Sequence, residues 1–209
     1  LVENAKKPNG FWGKMMIKAM NKGHSSLTSW GLEHMNIERT ATVLDIGCGG
    51  GKTVDRLCSI VANGKVYGID YSELSVKSSE KLNSKNILCN KAKILQASVS
   101  DMPFDDNTFD NITAVETYYF WPDKENDVKE VFRVLKQGGT VMLLFEMLRT
   151  DDDPFKWEKV ENMLNIKSVT PQEIRAVLES AGFEHINTYT KEGTTWLCAT
   201  AQKPKDDEN

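Results

Sequence analysis

The five residues Thr42-Val43-Leu44-Asp45-Ile46 make a short, largely β-branched run that stops at Gly47-Cys48-Gly49-Gly50-Gly51, and helical periodicity begins at once with Lys52. No other stretch limits the fold so tightly. A strand that turns into a helix within a few residues needs glycine, because only glycine takes left-handed backbone angles without steric cost. The same lack of side chains lets bare main chain approach a ligand. From Lys52 to Ala62, Val54, Leu57, Cys58 and Val61 recur at helical spacing, and Asn63-Gly64 stops the helix.

The alternation continues. Lys65 to Asp70 reads as a second strand, Ser72 opens a helix reaching about Leu82, and Ala92 to Ala97 reads as a third strand. A loop from Ser98 to Asn107 precedes a fourth strand, Phe109 to Glu116. Asn126 to Leu135 is helical, with Val128, Val131, Phe132 and Leu135 on one face, and Gln137-Gly138-Gly139 ends it. Thr140 to Met147 is almost continuously apolar, as a strand buried on both faces must be. Thr170-Pro171-Gln172-Glu173 is a capping box opening a helix that ends at Ala181-Gly182. Phe183 to Thr190 and Gly193 to Ala201 form a closing hairpin around Lys191-Glu192-Gly193. Strands alternating with helices predict an α/β, Rossmann-like, doubly wound sheet of seven strands, mostly parallel with one antiparallel strand, plus an N-terminal helical cap. The expected organisation is a cap over residues 1–40, a core over 41–202 and a charged, flexible tail over 203–209.

Composition narrows the function. Over 209 residues, 26 Lys+Arg stand against 30 Asp+Glu, a net charge of −4, so the electrostatic footprint of a general nucleic-acid binder is absent. Apolar runs are too short to span a bilayer. Leu1 to Lys22 is interrupted by Lys6, Lys7, Lys14 and Lys18 and holds no apolar core of signal-peptide length. Cys48, Cys58, Cys89 and Cys198 form no CxxC pair, so reduced thiols of a cytoplasmic protein are expected, with no metal site.

In an open α/β sheet, ligands bind outside the carboxyl ends of the strands. Asp70 ends the second strand 19 residues beyond Gly51, where a carboxylate accepts hydrogen bonds from a ribose diol. Loop and acid together point to an adenosine-type ligand. A dinucleotide fingerprint would put its third glycine on Lys52, and a phosphate-binding loop would need glycine at Ile46; both fail. Asp45, at the mouth of the loop, suits a ligand carrying ammonium and sulfonium charge better than a pyrophosphate.

Val43 to Thr53 resembles the first motif of class I S-adenosylmethionine-dependent methyltransferases. Gly68-Ile69-Asp70-Tyr71-Ser72 resembles the second, and Ala97 to Phe104 the adenine-contacting segment. Phe109 to Asp123 and Val131 to Gly139 are similar to the fourth and fifth blocks. The texture is nearest the small-molecule subgroup that includes quinone and sterol methyltransferases. The resemblance implies S-adenosylmethionine as cofactor. It places Gly47, Gly49 and Gly51 beneath the methionine half, with Asp45 near the ammonium, and Cys48 in the same cofactor-binding loop as a small side chain that fits. Asp70 would take the ribose hydroxyls and Tyr71 would lie against the adenine. Ser100, Asp101 and Met102 would form the adenine segment, Asp101 accepting the amino hydrogen and Met102 offering backbone and an apolar contact.

Catalytic candidates are His24, Glu116 and Tyr118, each of a type able to deprotonate an acceptor. The aromatic run Tyr118 to Trp121 is a candidate substrate wall. Phe11, Met15 and Met16 share one side of a helix that would form a lid. The expected partner is a small-molecule acceptor, with no nucleic acid and no membrane insertion, and the chain acts as a monomer or homodimer. A non-catalytic S-adenosylmethionine-binding protein and an NAD-dependent oxidoreductase remain as alternatives on the same architecture.

Overall fold

The computed structural model describes residues 25–205. Seven strands carry the fold: β1 (Thr42–Ile46), β2 (Lys65–Asp70), β3 (Ala92–Gln96), β4 (Phe109–Val115), β5 (Leu135–Phe145), β6 (Glu184–Thr190) and β7 (Leu197–Gln202). They lie side by side in the order β3-β2-β1-β4-β5-β7-β6. β1 pairs in parallel with both β2 and β4, β2 with β3, and β4 with β5, while β7 runs antiparallel to both its neighbours. The expected mostly parallel sheet with one reversed strand is therefore present. Its order reverses between β1 and β4, which opens a crevice at their carboxyl ends.

The helices are α1 (Ser25–Leu32), α2 (Lys52–Ile60), α3 (Glu73–Leu82), α4 (Ser84–Leu88), α5 (Lys124–Val134), α6 (Glu158–Leu164) and α7 (Pro171–Ser180), with a 3-10 turn at Tyr118–Phe120. β5 shows how they sandwich the sheet. Val141, Leu143 and Phe145 face a core shared with Val128 and Val131 of α5 and Ile174 and Leu178 of α7. Met142 and Leu144 face Leu27 of α1 on the other side. Successive strand side chains point to opposite faces, so a strand covered twice has no polar position to spare. No helix among the described residues is long and apolar enough to cross a membrane.

Several elements differ from expectation. α4 and α6 are short and bury no residue fully; Val160 and Leu164 of α6 and Ile87 of α4 are only half-buried against the core, too brief a pattern for periodicity to mark a helix. β5 starts at Leu135 rather than Thr140, taking in the glycines expected to end a helix; Gly138 (φ 74°) sits within a register irregularity against β4. Residues 25–35, assigned to a cap, instead cover the sheet: Leu27 packs against Met142, Leu144 and Cys198. Phe11, Met15, Met16 and His24 lie outside the described residues.

The expected flexible tail begins too early. Lys203 is 5% exposed, and its Nζ donates to Asn107 Oδ1 and to the carbonyls of Phe132 and Leu135, each at 2.8 Å. Its backbone pairs with Gly138 and Gly139. A buried ammonium is tolerable only with such a set of acceptors. Lys203→Met keeps the aliphatic stem but leaves these oxygens unpaired. It is expected to lower unfolding free energy by about 2–4 kcal/mol in urea titration. A wild-type midpoint would return Lys203 to an idle tail.

Candidate active site

The loop after β1 is fixed by its own backbone. Cys48 N–H donates to Ile69 O at 2.9 Å, and Gly51 N–H to Cys48 O at 2.8 Å, which turns the chain into α2. Gly47 (φ 67°) is required sterically as well as conformationally: a Cβ there would lie 2.1 Å from Thr117 Oγ1. Gly49 (φ 51°) is different. A Cβ on it would meet nothing nearer than Gly47 O at 4.0 Å, so that side of the loop is open.

Asp70 joins loop to neighbouring strand. Its Oδ2 accepts Gly49 N–H and its Oδ1 accepts Ser72 N–H, both at 2.9 Å. Burial raises its pKa, against the lowering effect of these two hydrogen bonds and of a third from the Ser75 side chain. Each carboxylate oxygen has a second lone pair, so the group retains acceptor capacity toward a ligand.

A cavity of about 510 Å³ opens at these strand tips. One side is Ile46, Gly47, Ile69, Asp70 and Tyr71, followed by Ala97, Ser98 and Val99. Of the expected cofactor residues, Gly47, Asp70 and Tyr71 line it. Gly49 and Gly51 belong to the loop but not to the wall. Asp45 is 2% exposed and turned into the fold, its Oδ1 accepting Thr113 Oγ1–H at 2.7 Å; burial pushes its pKa up to about 7. Cys48 directs its buried thiol to Ser79 Oγ at 3.8 Å, and burial raises its pKa.

Ser100, Asp101 and Met102 do not reach the cavity. Ser98 and Asp101 pair in a tight turn that carries the chain away. The Met102 backbone is already engaged, its N–H donating to Glu130 Oε1 at 2.9 Å and its carbonyl accepting from Arg133 at 3.2 Å. Ala97 to Val99 take the position because they are the first residues past the tip of β3. They open the segment Ala97 to Phe104 that the resemblance places against the adenine, so the segment was legible while the residues singled out within it are not the ones at the wall.

The opposite side is Thr117, Tyr119, Phe120, Trp121 and Pro122, with Asn165 and Ile166 just after α6. Tyr118 is not part of it. It is 5% exposed in the core, packed against Trp121 and Phe145 at ring-centroid distances of 5.2 and 5.7 Å, and burial pushes its pKa up to about 12. In the 3-10 turn, consecutive side chains fan apart, so Tyr119 and Phe120 face the cavity while Tyr118 faces inward. Glu116 also turns away. Its Oε1 accepts the Glu146 N–H and, at 3.3 Å, the Tyr119 hydroxyl. Burial, with the Glu146 charge adding to it, pushes the Glu116 carboxyl up to about 8. A carboxyl protonated at neutral pH is no general base. Asn165 and Ile166 escaped sequence reading because no motif marks them.

Comparison with known proteins agrees with this geometry. Residues 44–143 match a family model described as a methyltransferase domain. The chain is 27% identical over 183 residues to the uncharacterized methyltransferase YdaC of Bacillus subtilis, covering 87% of this chain and 93% of that one. It is 30% identical over 181 residues to the ubiquinone/menaquinone biosynthesis C-methyltransferase UbiE of Cronobacter sakazakii, covering 75% and 72% respectively. An S-adenosylmethionine-dependent methyltransferase structure from Aquifex aeolicus superposes with a TM-score of 0.70 at 21% identity, covering 90% of this chain and 97% of that one.

The buried acids carry a pH signature. Asp45 and Glu116 hold protons up to about 7 and about 8, whereas in the unfolded chain both ionise near pH 4. Between those limits the native state binds more protons. Their contribution is therefore fully present at low pH, falls as pH rises through 7 and 8, and is flat beyond. Unfolding free energy is expected to drop by roughly 2–5 kcal/mol from about pH 5.5 to about pH 8.5, with a shallower drop in Asp45→Asn. Urea midpoints across that range check it; a flat wild-type profile contradicts it.

Proposed function

This chain belongs to the class I S-adenosylmethionine-dependent methyltransferases, and we propose that it methylates a small, uncharged acceptor carrying an aromatic or quinol-type ring. The observation behind the reading is the two-sided cavity. Among the described residues that line it, Asp70 is the one carboxylic acid and none is a basic side chain, and Asp70 stands at the loop side. The far side offers Tyr119, Phe120, Trp121, Pro122 and Ile166, with only Thr117 and Asn165 as small polar groups. A charged acceptor would meet no counter-charge there, and leaving an ion unpaired in such surroundings is costly. UbiE is named as a C-methyltransferase of ubiquinone/menaquinone biosynthesis, an acceptor chemistry of the same class.

The residues present fit the cofactor. Gly49 leaves open space where a side chain would intrude, and Asp70 keeps free lone pairs beside it. In this reading Asp70 accepts the ribose hydroxyls, Ser98 and Val99 flank the adenine in place of Asp101 and Met102, and Gly47 presents bare backbone. S-Adenosylmethionine, when bound, supplies a methyl group on a sulfonium sulfur that departs in line without needing an acid. The chain's own task is alignment, a contribution of about 7–11 kcal/mol when geometry is favourable. Tyr119 and Trp121, in the far wall, exclude water from the reacting atoms. Neither Glu116 nor Tyr118 presents a base to the cavity, so among the described residues alignment carries the methyl transfer, and the proton that the acceptor gives up passes to solvent.

Calorimetric titration with S-adenosylmethionine and S-adenosylhomocysteine tests the first half of this reading. Asp70→Ala and Gly49→Ala are each expected to weaken binding by about tenfold or more, the scale of a lost charge-assisted contact or a blocked approach. Unchanged affinity in both would place the cofactor elsewhere. A radiolabelled-methyl screen against quinols, phenols and amines tests the second half: transfer to charged amines in preference to quinols and phenols would overturn the acceptor class.

A further inference from the structure

Glu116 has a left-handed backbone (φ 56°), a conformation a side-chain-bearing residue keeps only where its surroundings hold it. Its own N–H donates to Leu144 O at 2.9 Å, and its side chain is held by a short chain of hydrogen bonds. The Glu146 N–H donates to Glu116 Oε1, the Tyr119 hydroxyl donates to the same oxygen at 3.3 Å, and the Met147 N–H donates to the Tyr119 hydroxyl oxygen at 3.0 Å. Glu146 and Met147 directly follow β5. One oxygen therefore ties together the exit of β4, the 3-10 turn and the exit of β5.

The turn it secures is the far wall of the cavity. The Tyr119 ring packs edge-on against Phe145 at 5.6 Å and Phe120 at 6.3 Å between centroids, and Phe120 and Trp121 continue the wall. Ring packing holds Tyr119 along its ring, and the hydroxyl bonds hold it at its tip as well.

We propose that Glu116 and the Tyr119 hydroxyl are positioning residues that set the aromatic wall for the acceptor, a role that rests on the small-acceptor reading above and deepens it. Glu116 acts through Tyr119 and touches no reactant. Its requirement is an oxygen able to accept two hydrogen bonds, not a negative charge. Glutamine provides that oxygen and alanine does not.

The test uses the full chain with S-adenosylhomocysteine for the loop side and 1-naphthol, an uncharged aromatic probe, for the far side. Glu116→Ala and Tyr119→Phe are expected to weaken 1-naphthol binding by roughly fivefold, the scale of one neutral hydrogen bond, with S-adenosylhomocysteine affinity held within about twofold. Glu116→Gln is expected to stay within about twofold of wild type for both ligands. Equal losses for both ligands, no loss in either disruptive variant, or glutamine behaving as alanine would overturn the proposal. Should Glu116→Ala not fold, Tyr119→Phe and Glu116→Gln carry the comparison, because each preserves the packing volume. If the wild type takes up no 1-naphthol, it is the acceptor reading that fails. The brace is then judged by hydrogen exchange at the Glu146 and Met147 amides with S-adenosylhomocysteine bound: faster exchange in Tyr119→Phe supports it, and unchanged rates refute it.

Discussion

The Asp70 carboxylate is the contact on which the crevice depends. Its two oxygens take the backbone N–H groups of Gly49 and Ser72, so the glycine loop after β1 and the start of α3 after β2 are set by one side chain. A loop with this many glycines has much conformational freedom to lose, and a single anchored amide restricts it more than propensity can. The same carboxylate forms part of the cavity wall. Structural and ligand-facing roles are thus joined in one group. The geometry that orders the loop also leaves lone pairs directed outward.

Three acids gather near the strand tips, and in each the first cause of a raised pKa is burial. They answer that burial differently. Asp70 takes two backbone N–H groups, Asp45 takes the Thr113 hydroxyl, and Glu116 takes a backbone N–H and a phenol. Hydrogen bonds from neutral donors offset part of the desolvation but bring no positive charge, so Asp45 and Glu116 still hold protons near neutrality. A cation entering the cavity favours the ionised form of an acid that faces it, which among these is Asp70.

Much of this was legible in the sequence, for identifiable reasons. The glycine loop, Asp70 and the strand alternation are local patterns, in which steric need and periodicity write directly into residue type. Asp70 and Tyr71 end a strand that can be bounded within a residue, and both reach the cavity. Ser100, Asp101 and Met102 lie off the cavity wall because the wall takes the residues nearest the end of β3, whatever their chemical type. Asp101 is the acid in that segment, yet it lies past the turn at Ser98 and points to solvent. Tyr118 was misplaced for a related reason. Within a run of aromatics, only the handedness of a 3-10 turn decides which ring faces inward, and nothing in the composition of the run reports it.

The far wall shows why acceptor choice is the least readable property. Asn165 and Ile166 come to the cavity through an excursion that leaves β5 and returns before α7. Met147 O accepts Val169 N–H, Arg149 N–H donates to Val169 O, and the Trp157 indole donates to Leu148 O, which closes the excursion on itself. Arg149 also reaches Ser168 O, and Glu161 takes the Ser168 N–H. Two of these bonds join backbone groups that any sequence possesses, and the other three pair single side chains, Arg149, Trp157 and Glu161, with backbone, so no repeating pattern of residue types marks the closure. On the reading proposed above, the loop side meets a constant ligand, and its glycines and acid are the residue types such a ligand requires. The far side is set by how a surface excursion happens to be pinned, and its shape follows from contacts far apart in the chain. Residues there can change without disturbing the sheet, which is the physical basis for one fold serving many acceptors.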